Sequence, residues 1–196
     1  MKSSIFLNDM LTKGAILGGV MLASNIVETA IVGYGSNPSL LYAMAVEVIA
    51  VIVLYIWLLV RFTRNYASLV LAERKEMPYF TYGNGLSYVV SVSMLASVIV
   101  AVGGYMFRHY VVGFENYIAN SVKLVEASLS QSEVPASSIS GYEQMFKAIE
   151  SQDEPSLISS ILSSAWSYLV GGTFVGLFIA AMTKRTPQIF DNKDEQ

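Results

Sequence analysis

GAILGGVMLASNIVETAIVGYGSNPSLLYAMAVEVIAVIVLYIWLLV, residues Gly14–Val60, is the stretch that decides the fold. It consists of two apolar runs joined by Tyr34-Gly35-Ser36-Asn37-Pro38. Asparagine and proline favour tight reversals, and proline cannot continue a preceding helix. Each run approaches the roughly 20 apolar residues that a helix needs to cross a bilayer. The stretch therefore reads as two membrane-spanning helices. Each carries one acid in its apolar run, Glu28 in the first and Glu47 in the second. A charge at membrane depth costs about 2.5–3.5 kcal/mol even on the lenient insertion scale, so such residues usually have a partner or a function.

The rest of the chain agrees with a membrane class. Of 196 residues, 54% are hydrophobic and 14% charged, against about 25% charged in a soluble domain. With no cysteine, disulfides and thiolate metal sites are excluded. The single histidine, His109, excludes any two-histidine metal site. A net charge of −3 leaves no nucleic-acid footprint. There is no glycine-rich phosphate loop, nucleophile elbow or HExxH. Neither a metal nor a cofactor is expected.

Outward from the quoted stretch, Met1–Lys13 reads as a short polar start. A secretory signal peptide competes there, with Lys13 ahead of an apolar run and small residues at Ala23-Ser24. The apolar pattern continues to Val32, which suits an uncleaved span better. Spans are expected over about 14–33, 40–60, 86–107 and 156–182. Between the second and third lies a basic loop, 61–85, with a short surface helix over Asn65–Glu76 and an interfacial aromatic cluster at Tyr79, Phe80 and Tyr82. Ser93, Ser97 and Ala101 make a small-residue stripe in the third span, and Gly172, Gly176 and Ala180 another in the fourth.

Segment 108–155 is the largest non-membrane piece. Phe114, Ile118, Val122 and Val125 share a helical face, so Tyr110–Leu129 is predicted to be an amphipathic helix. Its apolar face needs cover, from Tyr142–Glu150 through Met145, Phe146 and Ile149 or from the membrane surface. Ser130–Gly141 reads as a linker. The fold class is thus all-α: a four-helix transmembrane bundle with a small extracytoplasmic helical cap.

Orientation follows the distribution of basic residues. Lys2, Lys13, Arg61, Arg64, Arg74, Lys75, Lys184, Arg185 and Lys193 fall on one side, nine in all; Arg108, Lys123 and Lys147 fall on the other. This predicts cytoplasmic termini, a cytoplasmic 61–85 loop and an extracytoplasmic segment carrying seven acids from Glu115 to Glu154.

The candidate site is Glu28 with Glu47, and with Asn25 one turn before Glu28. Antiparallel neighbours would bring the acids together, sharing a proton or holding a cation, with at least one protonated at neutral pH. Burial and a second carboxylate both disfavour the charged form. The plainer reading is that each is neutral or hydrogen-bonded to Asn25, to serines of the fourth span or to Arg108. Arg108 and His109 read as a counter-ion or headgroup contact, with a snorkelling anchor as the plainer alternative. The serine-rich start of the fourth span, Ser159 to Ser167, lines a polar cavity or serves as packing glue.

Three stretches carry a resemblance: Tyr79–Gly85 entering the third span, the helical segment after Tyr110, and Ala165–Lys184. Through them the layout resembles a four-span inner-membrane family of unknown function common in Bacteroidota. The resemblance implies a multi-pass protein of the bacterial cytoplasmic membrane and supplies no catalytic residue. The expected role is a non-enzymatic accessory or scaffold subunit of the cell envelope. Its partners are the lipid bilayer and another membrane protein or a second copy, not nucleic acid. The alternative is a small transporter or channel-like protein using Glu28 and Glu47.

Overall fold

The computed structural model describes residues 3–35, 37, 39–73, 79–131, 142, 144, 146–149 and 151–185. Its long elements are α1 (Ser3–Tyr34), α2 (Ser39–Glu73), α3 (Tyr82–Met106), α4 (Phe114–Gln131) and α5 (Leu157–Thr183). A π-helical segment, Phe107–Val112, carries α3 onward, and Gly113 at φ 81° turns the chain into α4. Four of these are long and apolar enough to cross a membrane: α1, α2, α3 with its π-helical extension, and α5.

The bundle is built around α3. In its most apolar stretch 44% of residues are buried, against 22% in α1 and α5 and 11% in α2. The cause is side-chain size. Ser93, Ser97, Ala101 and Gly104 keep one side of α3 thin, so neighbouring backbones approach closely. On the α5 side, a Cβ at Gly172 would stand 2.9 Å from the Ser93 side chain, and one at Gly85 3.1 Å from the Ala180 Cα. On the α1 side, a Cβ at Gly18 would stand 3.1 Å from the Ala96 Cα. Gly172 of α5 and Gly18 of α1 therefore pack helices within the chain.

The end that holds the start of α1 and the end of α5 is closed by aromatic rings. Tyr66 of α2 stacks on Tyr88 of α3 at 4.3 Å between centroids. Phe6 and Phe80 meet Tyr66 edge-on, each at 5.9 Å. Tyr88 donates its hydroxyl proton to Asp9 of α1. Phe80 and Arg185 exchange backbone hydrogen bonds of 3.0 and 2.9 Å, tying the entry to α3 to the exit of α5.

Several expected boundaries move. The polar start is the first part of α1, because Ile5, Phe6 and Met10 pack on the aromatic core. The surface helix expected over Asn65–Glu76 is the unbroken end of α2, whose Phe62, Tyr66, Ala67 and Val70 are buried. A basic residue can end a lipid span without ending a helix, and α2 runs on past Arg61 and Arg64 to Glu73. Thus 61–85 is less a loop than the ends of two helices, although 74–78 lie outside the described residues. Phe80 is fully buried rather than interfacial. The helix of the third span begins at Tyr82, where Thr81 Oγ1 accepts from the Asn84 N–H at 3.1 Å as an N-cap.

Asn37 does the same for α2, accepting from the Ser39 N–H at 3.0 Å; Ser36 and Pro38 lie outside the described residues. In segment 108–155, α4 forms as expected and buries Val122 and Leu124. Its neighbour is α1: Asn120 donates to the Gly33 carbonyl. The expected linker beyond Gln131 and the Met145 contact lie outside the described residues.

Candidate functional site

Glu28 and Glu47 meet where α1 passes the half of α2 that follows the turn. The Ser24 hydroxyl, one turn before Glu28, donates to Glu47 Oε1. Glu47 Oε2 is buried and has no hydrogen-bond partner among the described residues. Glu28 of α1 lies beside Glu47. Both side chains are half-buried and turned toward a neighbouring helix.

Around the pair the surroundings are mostly apolar. Tyr168 of α5 is close enough to Glu28 to interact with its charge. The Tyr168 ring meets Tyr55 edge-on at 6.1 Å, and the Tyr55 hydroxyl hydrogen-bonds Ser93 Oγ at 2.8 Å. Beside these tyrosines lies an apolar pocket of about 200 Å³ bounded by Met21, Ile52 and Gly171.

Asn25 belongs elsewhere. Its Oδ1 lies against Gly104 of α3, and it lines a separate polar cavity of about 340 Å³ between α1, α3 and the start of α5. Arg108 lies in the same cavity, with Ser159, Ser160, Ser163 and Ser164 of α5. The serine-rich start of the fourth span thus lines a cavity, while Ser164 also donates to the Ser97 carbonyl at 3.2 Å. The Arg108 guanidinium sits 5.0 Å over the Tyr117 ring. Its Nε is buried without a hydrogen-bond partner among the described residues. Arg108 therefore serves the cavity rather than acting as a counter-ion to Glu28.

His109, next in the π-helical segment, points away from that cavity. It stacks on Tyr105 at 5.5 Å and contacts Glu154 through Nδ1 at 2.7 Å. Glu154 lines the Arg108 cavity and also a second one of about 620 Å³ that includes Glu115 and Asp153. A π-helical turn shifts the register of side chains along a helix and is common at functional sites. Here it sends consecutive residues, Arg108 and His109, to two adjoining cavities.

Sequence reasoning missed Ser24 and Tyr168 because a lone serine or tyrosine in an apolar run carries no signal. Ser24 was legible only through its spacing, four residues before Glu28 on the same helix face. The Asp9–Tyr88 bond was missed because Met1–Lys13 read as outside the bundle.

The family model described as "Protein of unknown function (DUF4199)" matches residues 12–185. No curated protein and no solved structure matches the chain.

Proposed function

The chain belongs to the DUF4199 family, whose description carries no activity, and we propose that it is a non-enzymatic accessory subunit of the bacterial cytoplasmic membrane. It assembles with a second membrane-embedded chain through the first half of α2. One observation carries this reading. All seven buried residues of α2 lie between Leu58 and Val70, while the half that bears Glu47 leaves Val46, Ile49 and Val53 62–69% exposed. Lipid covers apolar side chains at no cost, but it does not cheaply cover the half-buried Glu28 beside Glu47. A second helix laid along α2 would shield the Glu28–Glu47 edge and leave the termini on the basic, cytoplasmic side.

A second reading, a proton- or cation-handling site, is favoured by the two acids lying side by side with Glu47 Oε2 buried and unpartnered among the described residues. Against it, the polar cavity is lined by Asn25 and Arg108, and the pocket beside the tyrosines is apolar.

The chain's lack of cysteine makes the test clean. Ile49→Cys or Val53→Cys, cross-linked in native membranes, should give one discrete adduct. Phe174→Cys on the exposed face of α5 should give none. A hetero-adduct identifies an envelope partner and a homo-adduct identifies self-association. Adducts from neither α2 position, or equally from Phe174→Cys, overturn the proposal. A proton flux in liposomes abolished by Glu47→Gln would put the transport reading in its place.

A further inference from the structure

The two cavities at the π-helical end of α3 have opposite character and share a wall. The inner one holds donors: the Arg108 guanidinium with its unpartnered buried Nε, the Asn25 amide and the hydroxyls of α5. It also abuts the first turn of α5, whose helix dipole adds positive potential. An arginine fork with hydroxyl donors matches the oxygens of a phosphoryl group.

A simple anion does not explain the rest of the site. Glu154 lines the inner cavity too, and the adjoining outer cavity carries Glu115 and Asp153. Three acids beside a phosphate would repel it, unless the ligand brings a cation of its own. Phe114 and Glu154 border both cavities, so one ligand spanning the shared wall would meet donors at one end and acceptors at the other. Arg108 lies about one turn before Val112, the last residue of the third membrane-crossing helix.

We infer that these two cavities bind a zwitterionic phosphoester of the phosphoethanolamine class, its phosphoryl group on Arg108 and the α5 serines and its primary ammonium on Glu154 and the neighbouring acids. The ammonium must keep N–H donors to satisfy carboxylates, so a trimethylated amine fits less well. This inference is independent of the assembly through α2, which lies on a different side of α1.

The test is native mass spectrometry of the full chain in detergent. Dioleoyl phosphatidylethanolamine, phosphatidylcholine and phosphatidylglycerol are each added, with soluble O-phosphoethanolamine as competitor. One phosphatidylethanolamine should be retained per chain, at least about tenfold more tightly than either other lipid. Arg108→Gln should lose that retention. Glu154→Gln, which can still accept from His109, should keep a lipid but lose the preference for the primary amine. The Glu154 variant stands as a test even where the Arg108 variant fails to fold. Displacement by soluble O-phosphoethanolamine marks a free phosphoester as the ligand; retention against it marks a lipid. Equal retention of the three lipids, tighter phosphatidylglycerol, or unchanged selectivity in Glu154→Gln overturns the inference.

Discussion

The α3–α5 seam and the α1–α2 seam hold two helices together by different means. Between α3 and α5 the contact is small residue on small residue: Gly172 on Ser93, Ala180 on Gly85. The buried residues of α5 run from Gly172 to Thr183. Between α1 and the first half of α2 it is polar and local, with Ser24, Glu28 and Glu47 meeting in a mostly exposed stretch of α2. In lipid no hydrophobic effect drives helices together, so association depends on close packing or on hydrogen bonds. The first seam relies on packing from Gly172 to Thr183, with Ser164 bonding the Ser97 carbonyl beyond it; the second relies on hydrogen bonds at one point. The first should therefore be intolerant of added volume, and the second tolerant of almost everything except loss of its polar contact.

The largest effect should come from Gly172→Leu. A Cβ there already stands 2.9 Å from Ser93 Cβ and Oγ, and Ser93 is held by Tyr55. Overpacking of this kind costs about 1–3 kcal/mol, or roughly 2–12 °C in melting temperature for a chain of this size. A thermal-shift assay in detergent checks it. An unchanged melting temperature would mean that the seam is looser than its backbone distances require.

Smaller losses are expected at the polar contact. Ser24→Ala removes the hydroxyl donor to Glu47 Oε1 and should cost about 0.6 kcal/mol, at most about 1.7, the range of interhelical hydrogen bonds in membranes. Glu47→Gln should cost less, because an amide accepts from Ser24 and donates to Glu28. If Glu47→Gln proved as damaging as Gly172→Leu, the distinction between the two seams would collapse.

These two seams were not equally legible in the sequence. Ser93, Ser97 and Ala101 and the Gly172-Gly176-Ala180 run announced a packed interface, because small residues at four-residue spacing line one helix face. That the two stripes face each other was not readable, since spacing along one helix says nothing of its partner. The acids were conspicuous against apolar neighbours, and their meeting followed from antiparallel helices joined by a short turn. The assignment of Asn25 to them failed for a geometric reason. Asn25 lies three positions before Glu28, about 60° away round the helix, and from there it lies against Gly104 of α3. Ser24, four residues away, was the residue in register. The polar cavity was half legible, as a serine-rich start to α5. The register shift that brings Arg108 into it was invisible, because Phe107–Val112 has no composition that distinguishes a π-helix from an α-helix.

The smallest expected effect sharpens the comparison most. Ile49 lies two residues from Glu47, on the part of α2 that its own bundle leaves open, and is 65% exposed. In a water-soluble protein a buried isoleucine cut to alanine costs about 2–5 kcal/mol, because a cavity is left and apolar area is lost to water. At Ile49 neither cost arises in the isolated chain: no neighbour packs tightly enough to leave a cavity, and detergent or lipid replaces the lost contacts. Ile49→Ala should therefore shift stability of the purified chain by less than about 0.5 kcal/mol, as surface substitutions do. In native membranes, a partner lying along α2 would turn the same side chain into an interface residue. The variant should then reduce the yield of the Val53→Cys cross-link without changing the melting temperature of the purified chain. Loss of stability in the purified chain would show that the first half of α2 is packed by its own bundle after all. An unchanged cross-link would place the partner on another face of the helix.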